Sequence, residues 1–228
     1  MKYLIIGLGS FGSSLAQKLT SLGNEVIGVD IKMEKVNAMK DQITYAVCLD
    51  ATNPNALESL PIKNTDVAIV CIGEAQGANI LATANLKKLK LNRIISRSLN
   101  PLHENVLQAI GITEIVHPEE ESAERWAKKL MFKEIIDSFE LNNNYSIIEI
   151  KVPESLIGKT IAEVGFRNTF NILILTIIQN KEKQNLLGMP HNIPYVQGIP
   201  DPETKFQKDD ILVIYGSNKD IQNFIAHP

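Results

Sequence analysis

At 228 residues, 44% hydrophobic and 21% charged, the chain has material for one large domain or a large and a small one, and disorder is not expected. Its 23 basic and 26 acidic residues leave a net charge of −3, which argues against nucleic-acid binding by phosphate neutralisation. No apolar run approaches the roughly 20 residues needed to cross a bilayer, so any membrane role is expected to go through a partner.

The opening MKYLIIGLGS runs straight into Gly-x-Gly and reads as a buried strand, not as a signal peptide. Five more short apolar runs follow, at 25–29, 45–49, 66–72, 93–97 and 113–117. Amphipathic stretches separate them, the first carrying Phe11, Leu15, Ala16, Leu19 and Leu22. Strand then helix, repeated, predicts a parallel sheet covered on both faces: an α/β, Rossmann-like, doubly wound fold over residues 1–118. Residues 119–139 read as a long helix with Ala123, Trp126, Ala127, Leu130, Met131, Ile135 and Ile136 in one stripe. The turn-prone Leu141-Asn142-Asn143-Asn144 is expected to break this helix and mark a domain boundary, making 119–140 a crossover linker. Residues 141–228 read as a smaller α+β unit, with strands at 145–152, 172–179 and 210–215 and helical turns at 160–164 and 219–225. The polar segment 180–208, with Pro190, Pro194, Pro200 and Pro202, is expected to be an exposed loop or a hairpin insertion.

The most informative segment is Gly7-Leu8-Gly9-Ser10-Phe11-Gly12, between the first strand and the first helix. Gly7 permits the tight turn, Gly9 lets the backbone approach a phosphate, and Gly12 lets helix and strand pack closely. The N–H groups at the helix start supply donors for phosphates. Asp30 closes the second strand, where such folds place a carboxylate that accepts from ribose hydroxyls. The motif predicts nucleotide binding without choosing between mononucleotide and dinucleotide. Cys48 and Cys71 lie inside apolar runs and read as reduced core residues. His103, His117, His191 and His227 are scattered and form no metal or catalytic set. Glu119, Glu120 and Glu121 suit the first turn of a helix, where negative charge complements the dipole.

Beyond Asp30 the sequence resembles the RCK (regulator of potassium conductance) family, and within it the cytosolic gating subunits of Ktr-type potassium transporters. Leu49-Asp50-Ala51-Thr52, followed by Leu57, is similar to the family segment that lies beside the adenine. Ile95-Ser96-Arg97-Ser98-Leu99-Asn100 resembles the segment that brings a basic residue near the phosphates. Ile115-Val116-His117-Pro118-Glu119 resembles the start of the crossover helix, and Tyr145-Ser146-Ile147-Ile148-Glu149 the opening of the C-terminal RCK domain. The nucleotide-site residues expected are therefore Gly7, Gly9, Ser10, Phe11, Gly12, Asp30, Asp50, Ala51, Thr52, Gly73 and Arg97.

The resemblance implies a non-catalytic regulator. It would bind ATP or ADP, pair through the crossover helix, and assemble as an octameric ring on a KtrB/TrkH-like membrane potassium channel subunit. Its location would be cytoplasmic, peripheral at the inner face of the membrane. The resemblance also implies a divalent cation or Na⁺ near the phosphates, with Glu119 as the metal ligand. One departure concerns Ser10: related gating subunits carry Arg there to reach the terminal phosphate, and Ser10 cannot make that contact. Compensation by Arg97 and a preference for NAD(H) both remain open. Some relatives bind cyclic di-AMP on the C-terminal domain, and Arg167, Asn168, Phe170 and Asn171 lie at the matching place, where a surface turn before a buried strand is the plainer reading. The alternatives from other classes are an NAD-dependent dehydrogenase and a stand-alone cyclic di-AMP or redox sensor.

Overall fold

Six short strands form a parallel sheet in the order β3-β2-β1-β4-β5-β6: β1 (Lys2–Ile6), β2 (Glu25–Asp30), β3 (Tyr45–Cys48), β4 (Val67–Val70), β5 (Ile94–Arg97) and β6 (Glu114–Val116). The computed structural model describes residues 1–62, 64–131, 135–184 and 190–228, with side chains there except at 128, 131, 180–184 and 190–192. The parallel strands are near-continuous apolar runs because helices cover both faces. Leu4, Ile6, Ile27 and Val29 pack on one side with Ala82 and Leu86, and Ile5, Val26 and Ile69 pack on the other with Ala16, Val36 and Met39. The covering helices are α1 (Ser10–Ser21), α2 (Met33–Met39), α3 (Pro54–Glu58), α4 (Gln76–Lys88) and α5 (Pro101–Ala109). The strand order reverses between β1 and β4, which opens the crevice where doubly wound sheets bind ligands.

The chain divides into two units, Met1–Glu120 and Glu121–Pro228. Helix α6 (Pro118–Met131) runs across that division. The second unit is built on an antiparallel sheet in the order β10-β9-β11-β8-β7, from β7 (Ile135–Asn142), β8 (Tyr145–Lys151), β9 (Leu173–Gln184), β10 (Pro190–Val196) and β11 (Ile211–Ser217). Two short helices, α7 (Ile161–Val164) and α8 (Phe166–Phe170), precede β9, and α9 (Asn218–Ala226) closes the chain. One face of this sheet buries Ile148, Ile150, Leu212 and Ile214 against Phe166, Phe206 and Phe224. The Phe166 ring meets those of Phe206 and Phe224 at 5.7 and 5.5 Å. Thr160 and Glu163 form a reciprocal capping box at the start of α7.

Two expectations are corrected here. The helix expected over 119–139 gives way to a strand, because Ile135 pairs with Ile150 and Phe139 with Ile147. Ile135 and Ile136 are β-branched, and Ile135 gains more by burial on the sheet than by extending an exposed helix. Arg125 of α6 holds the new strand, its Nε 2.7 Å from Asp137 Oδ1. Leu141–Asn144 is likewise no boundary: it is the end of β7 and the two-residue turn into β8, with Asn142 Oδ1 accepting from the N–H groups of Asn144 and Tyr145 at 2.9 Å each. In the proline-bearing segment, Pro190–Val196 form β10, which pairs antiparallel with β9; residues 185–189 lie outside the described residues. Among the described residues no helix is long and apolar enough to cross a membrane.

Candidate nucleotide-binding site

The glycine loop sits at the switch point, between the ends of β1 and β4. Gly7 takes φ +95°, a left-handed conformation that side chains resist, and a Cβ there would also crowd the Ile72 amide nitrogen at 3.0 Å. At Gly12 a Cβ would overlap the Gly7 carbonyl oxygen. Gly9 caps α1 without a capping side chain, so the N–H groups of the first turn have no acceptor within the helix. The loop is fastened to β2 by Asp30. The Leu8 N–H donates to Asp30 Oδ2 at 2.8 Å, and the Lys32 N–H donates to Oδ1 at 2.8 Å. Asp30 is 8% exposed. Each of its oxygens keeps acceptor capacity for a further donor such as a ribose hydroxyl.

The opposite wall is tied together by two buried asparagines of α4. The Asn85 side-chain amide donates to the Ala51 and Thr52 carbonyls at 3.2 and 2.9 Å. Asp50 Oδ1 accepts from the Thr52 N–H at 2.9 Å and its hydroxyl at 2.7 Å, which folds 50–52 into a local turn. The Asn79 amide donates to the Ile72 and Arg97 carbonyls, both at 3.1 Å, and its oxygen accepts from the Ser96 hydroxyl at 3.0 Å. Arg97 lies over Gly73, where a Cβ would overlap the guanidinium. One guanidinium nitrogen donates to the Cys71 carbonyl at 3.3 Å, and another pairs with Glu119. Burial pushes the Cys71 thiol up to about 12, with Arg97 pulling weakly the other way, so this sulfur stays protonated and inert.

The fold therefore brings Gly7, Gly9, Ser10, Phe11, Gly12, Asp30, Asp50, Ala51, Thr52, Gly73 and Arg97 to the carboxyl edge of one sheet. Their parts differ. Ser10 is exposed at the start of α1, whereas the Phe11 ring packs against the core and offers only its backbone. Glu119 is engaged by Arg97. In the second unit, Phe170 packs on Phe224 at 5.1 Å. Asn171 takes φ +55° and donates to Asp220 at 2.9 Å; it is exposed, as are Arg167 and Asn168, while Phe170 is half-buried. Sequence reasoning missed Asn79 and Asn85; the available signal was polar residues on the core-facing side of an otherwise apolar helix. It also missed Lys32 and Lys35, whose ammonium groups lie 3.6 and 3.7 Å from the carboxylate of Glu74.

The cradle fits a nucleotide: bare backbone at Gly9, unpaired helix-start donors and a strand-end acid share one crevice. Residues 3–118 match the model of the TrkA-N domain. This chain belongs to the TrkA-N family. Ktr system potassium uptake proteins A and C of Bacillus subtilis (strain 168) are each 34% identical to it over 223 residues, covering 98% of this chain and 95% of theirs. The TrkA-N chain is thus a homologue of potassium uptake subunits along nearly its whole length. That kinship sets the dehydrogenase alternative aside. Among solved structures, the GsuK RCK domain matches all of this chain with a TM-score of 0.53 at 23% identity. The GsuK channel bound to NAD matches all of it with a TM-score of 0.53 at 24% identity. This TrkA-N chain covers 47% and 39% of those two chains, and the likeness speaks to the fold of both units.

Proposed function

We propose that this chain is the cytoplasmic gating subunit of a potassium uptake system, acting at the inner face of the membrane through a channel-forming partner. The observation that carries this reading is the glycine loop clamped to Asp30 at the switch point, in a chain whose full-length relatives are Ktr potassium uptake proteins. The residues named above would hold ATP or ADP: the α1 start receives phosphates, Asp30 the ribose, and Asp50–Thr52 the base. Exchange of one nucleotide for another shifts the shape of an assembly only as far as their affinities for the two shapes differ, and no catalysis is required.

Two features support assembly from several copies. Trp126 and Leu130 of α6 are 59% and 77% exposed, an apolar stripe suited to a second copy of this chain in a dimer that builds an octameric ring. Glu119 supplies one carboxylate, and among the described residues no three metal-ligating side chains converge. A divalent cation or Na⁺ at Glu119 would therefore draw its remaining oxygens from the nucleotide and a neighbouring copy. Cyclic di-AMP would meet Arg167, Asn168 and Asn171 beside Phe170 on the second unit. NAD(H) is the second reading for the main site, favoured by uncharged Ser10 and by the NAD-bound state of the GsuK channel.

Calorimetry of the full chain with ATP, ADP, NADH and cyclic di-AMP, alongside mass measurement in solution, tests these proposals. ATP and ADP are expected to bind with different affinities and to a multimer. Equal affinities with an unchanged assembly would remove the basis for gating by these ligands.

A further inference from the structure

Lys32 follows the end of β2 by two residues, and Lys35 stands in the first turn of α2. Both reach across the mouth of the crevice to Glu74, which lies just beyond β4 beside Gly73. Lys32 Nζ is 3.6 Å from one Glu74 oxygen, and Lys35 Nζ is 3.7 Å from the other. These separations make an ion pair without the closeness of a hydrogen bond. The Glu74 side chain is 78% exposed, so its hold on the lysines is weak and readily exchanged. Lys35 has a second relation. Its ammonium is 3.9 Å from the position a Cβ would occupy on Gly9, the nearest group to that bare stretch of loop backbone. An anion resting on the backbone of Gly9 thus comes within ion-pair reach of Lys35.

Resting on the nucleotide reading above, we propose that Lys35 is the cation that meets the nucleotide phosphates in this chain, and that Glu74 is an internal anion competing with them for it. The loop residue at the α1 start is Ser10, which brings no charge, while Lys35 brings one from the opposite side of the crevice. Phosphates arriving on the loop take Lys35 from Glu74 and so release one of the two bridges that tie the β2–α2 junction to the segment after β4. Affinity then depends on phosphate charge through an exchange of partners, because Glu74 supplies a single negative charge and a nucleotide supplies more.

The test is calorimetry of the full chain with adenosine, AMP, ADP, ATP and NADH, for wild type, Lys35→Gln, Glu74→Gln and the double variant. Both side chains project from the surface, so circular dichroism should show the variants folded. Lys35→Gln should weaken ATP and ADP by about tenfold, the scale of one hydrogen bond to a charged group, and leave adenosine unchanged. Glu74→Gln should tighten ATP, and that gain should vanish in the double variant. If Lys35→Gln leaves ATP affinity intact or weakens adenosine equally, or if Glu74→Gln weakens ATP, the exchange does not occur although nucleotide binding stands. If wild type binds none of the five compounds, both readings fall together.

Discussion

Replacing Asp30 by Asn isolates the clamp between the glycine loop and β2. The change preserves shape but replaces one carboxylate oxygen with an NH₂ group. In the wild type the two oxygens accept from the N–H groups of Leu8 and Lys32, each at 2.8 Å, and the residue is almost wholly buried. Asparagine can accept from only one of those amides, and its NH₂ must face the other, donor against donor. A hydrogen bond to a charged group contributes about 1.5–3 kcal/mol, and the cost of leaving a buried donor unsatisfied, about 1–3 kcal/mol, describes the same loss from the donor's side. Loss of one such bond should thus cost about 2 kcal/mol, roughly a thirtyfold rise in local opening of the loop. Hydrogen–deuterium exchange of the peptide containing Leu8 reads this directly, and urea unfolding reads it globally. Faster exchange should be confined to the loop and the β2–α2 junction, with a lower urea midpoint. Unchanged Leu8 exchange together with an unchanged midpoint would refute the clamp.

Three further outcomes are expected. Phe224→Ala, which empties the centre of the phenylalanine cluster in the second unit, should cost about 3–5 kcal/mol in urea unfolding, as large aromatic truncations do. Hydrogen bonding from Arg125, aided by the Ser138 amide and the charges of Arg125 and Lys129, lowers the Asp137 carboxyl to about 2. A depressed carboxyl contributes stability above its unfolded value near 4 and loses it as pH falls through the folded value. The gap in urea midpoint between wild type and Asp137→Asn should therefore be full at neutral pH and close between pH 4 and 2. Cys71, its thiol raised by burial, should resist iodoacetamide at pH 8 in the folded chain and react in urea, as followed by mass spectrometry.

The first unit was legible because parallel strands buried on both faces are continuous apolar runs, punctuated by glycine and acid at their ends. Each expected strand appears within a residue or two of its expected limits. The second unit was legible only in part. Ile135 and Ile136 fall in step with the stripe of α6, so periodicity alone extended the helix; only the pairing partner Ile150, fifteen positions away, makes them a strand. Helix α8 was hidden for a different reason: it is a short turn between Gly165 and Asn171, both with positive φ. At the site, glycines and Asp30 announce themselves by spacing. Asn79, Asn85, Lys35 and Glu74 do not, because their partners come from other strands and the sequence gives no sign of which carbonyl or carboxylate they meet.

Helix α4 carries a mechanical consequence. Through Asn79 and Asn85 it grips the backbone after β3, after β4 and at the last residue of β5 at once, so those three strand ends are fastened to a single rod. Tilting or sliding that rod would displace residues 50–52 and Arg97 by the same motion, with little strain between them. Selective closure on a ligand would then draw on the other side of the crevice, where Lys32 and the half-buried Lys35 of the β2–α2 junction share the exposed Glu74.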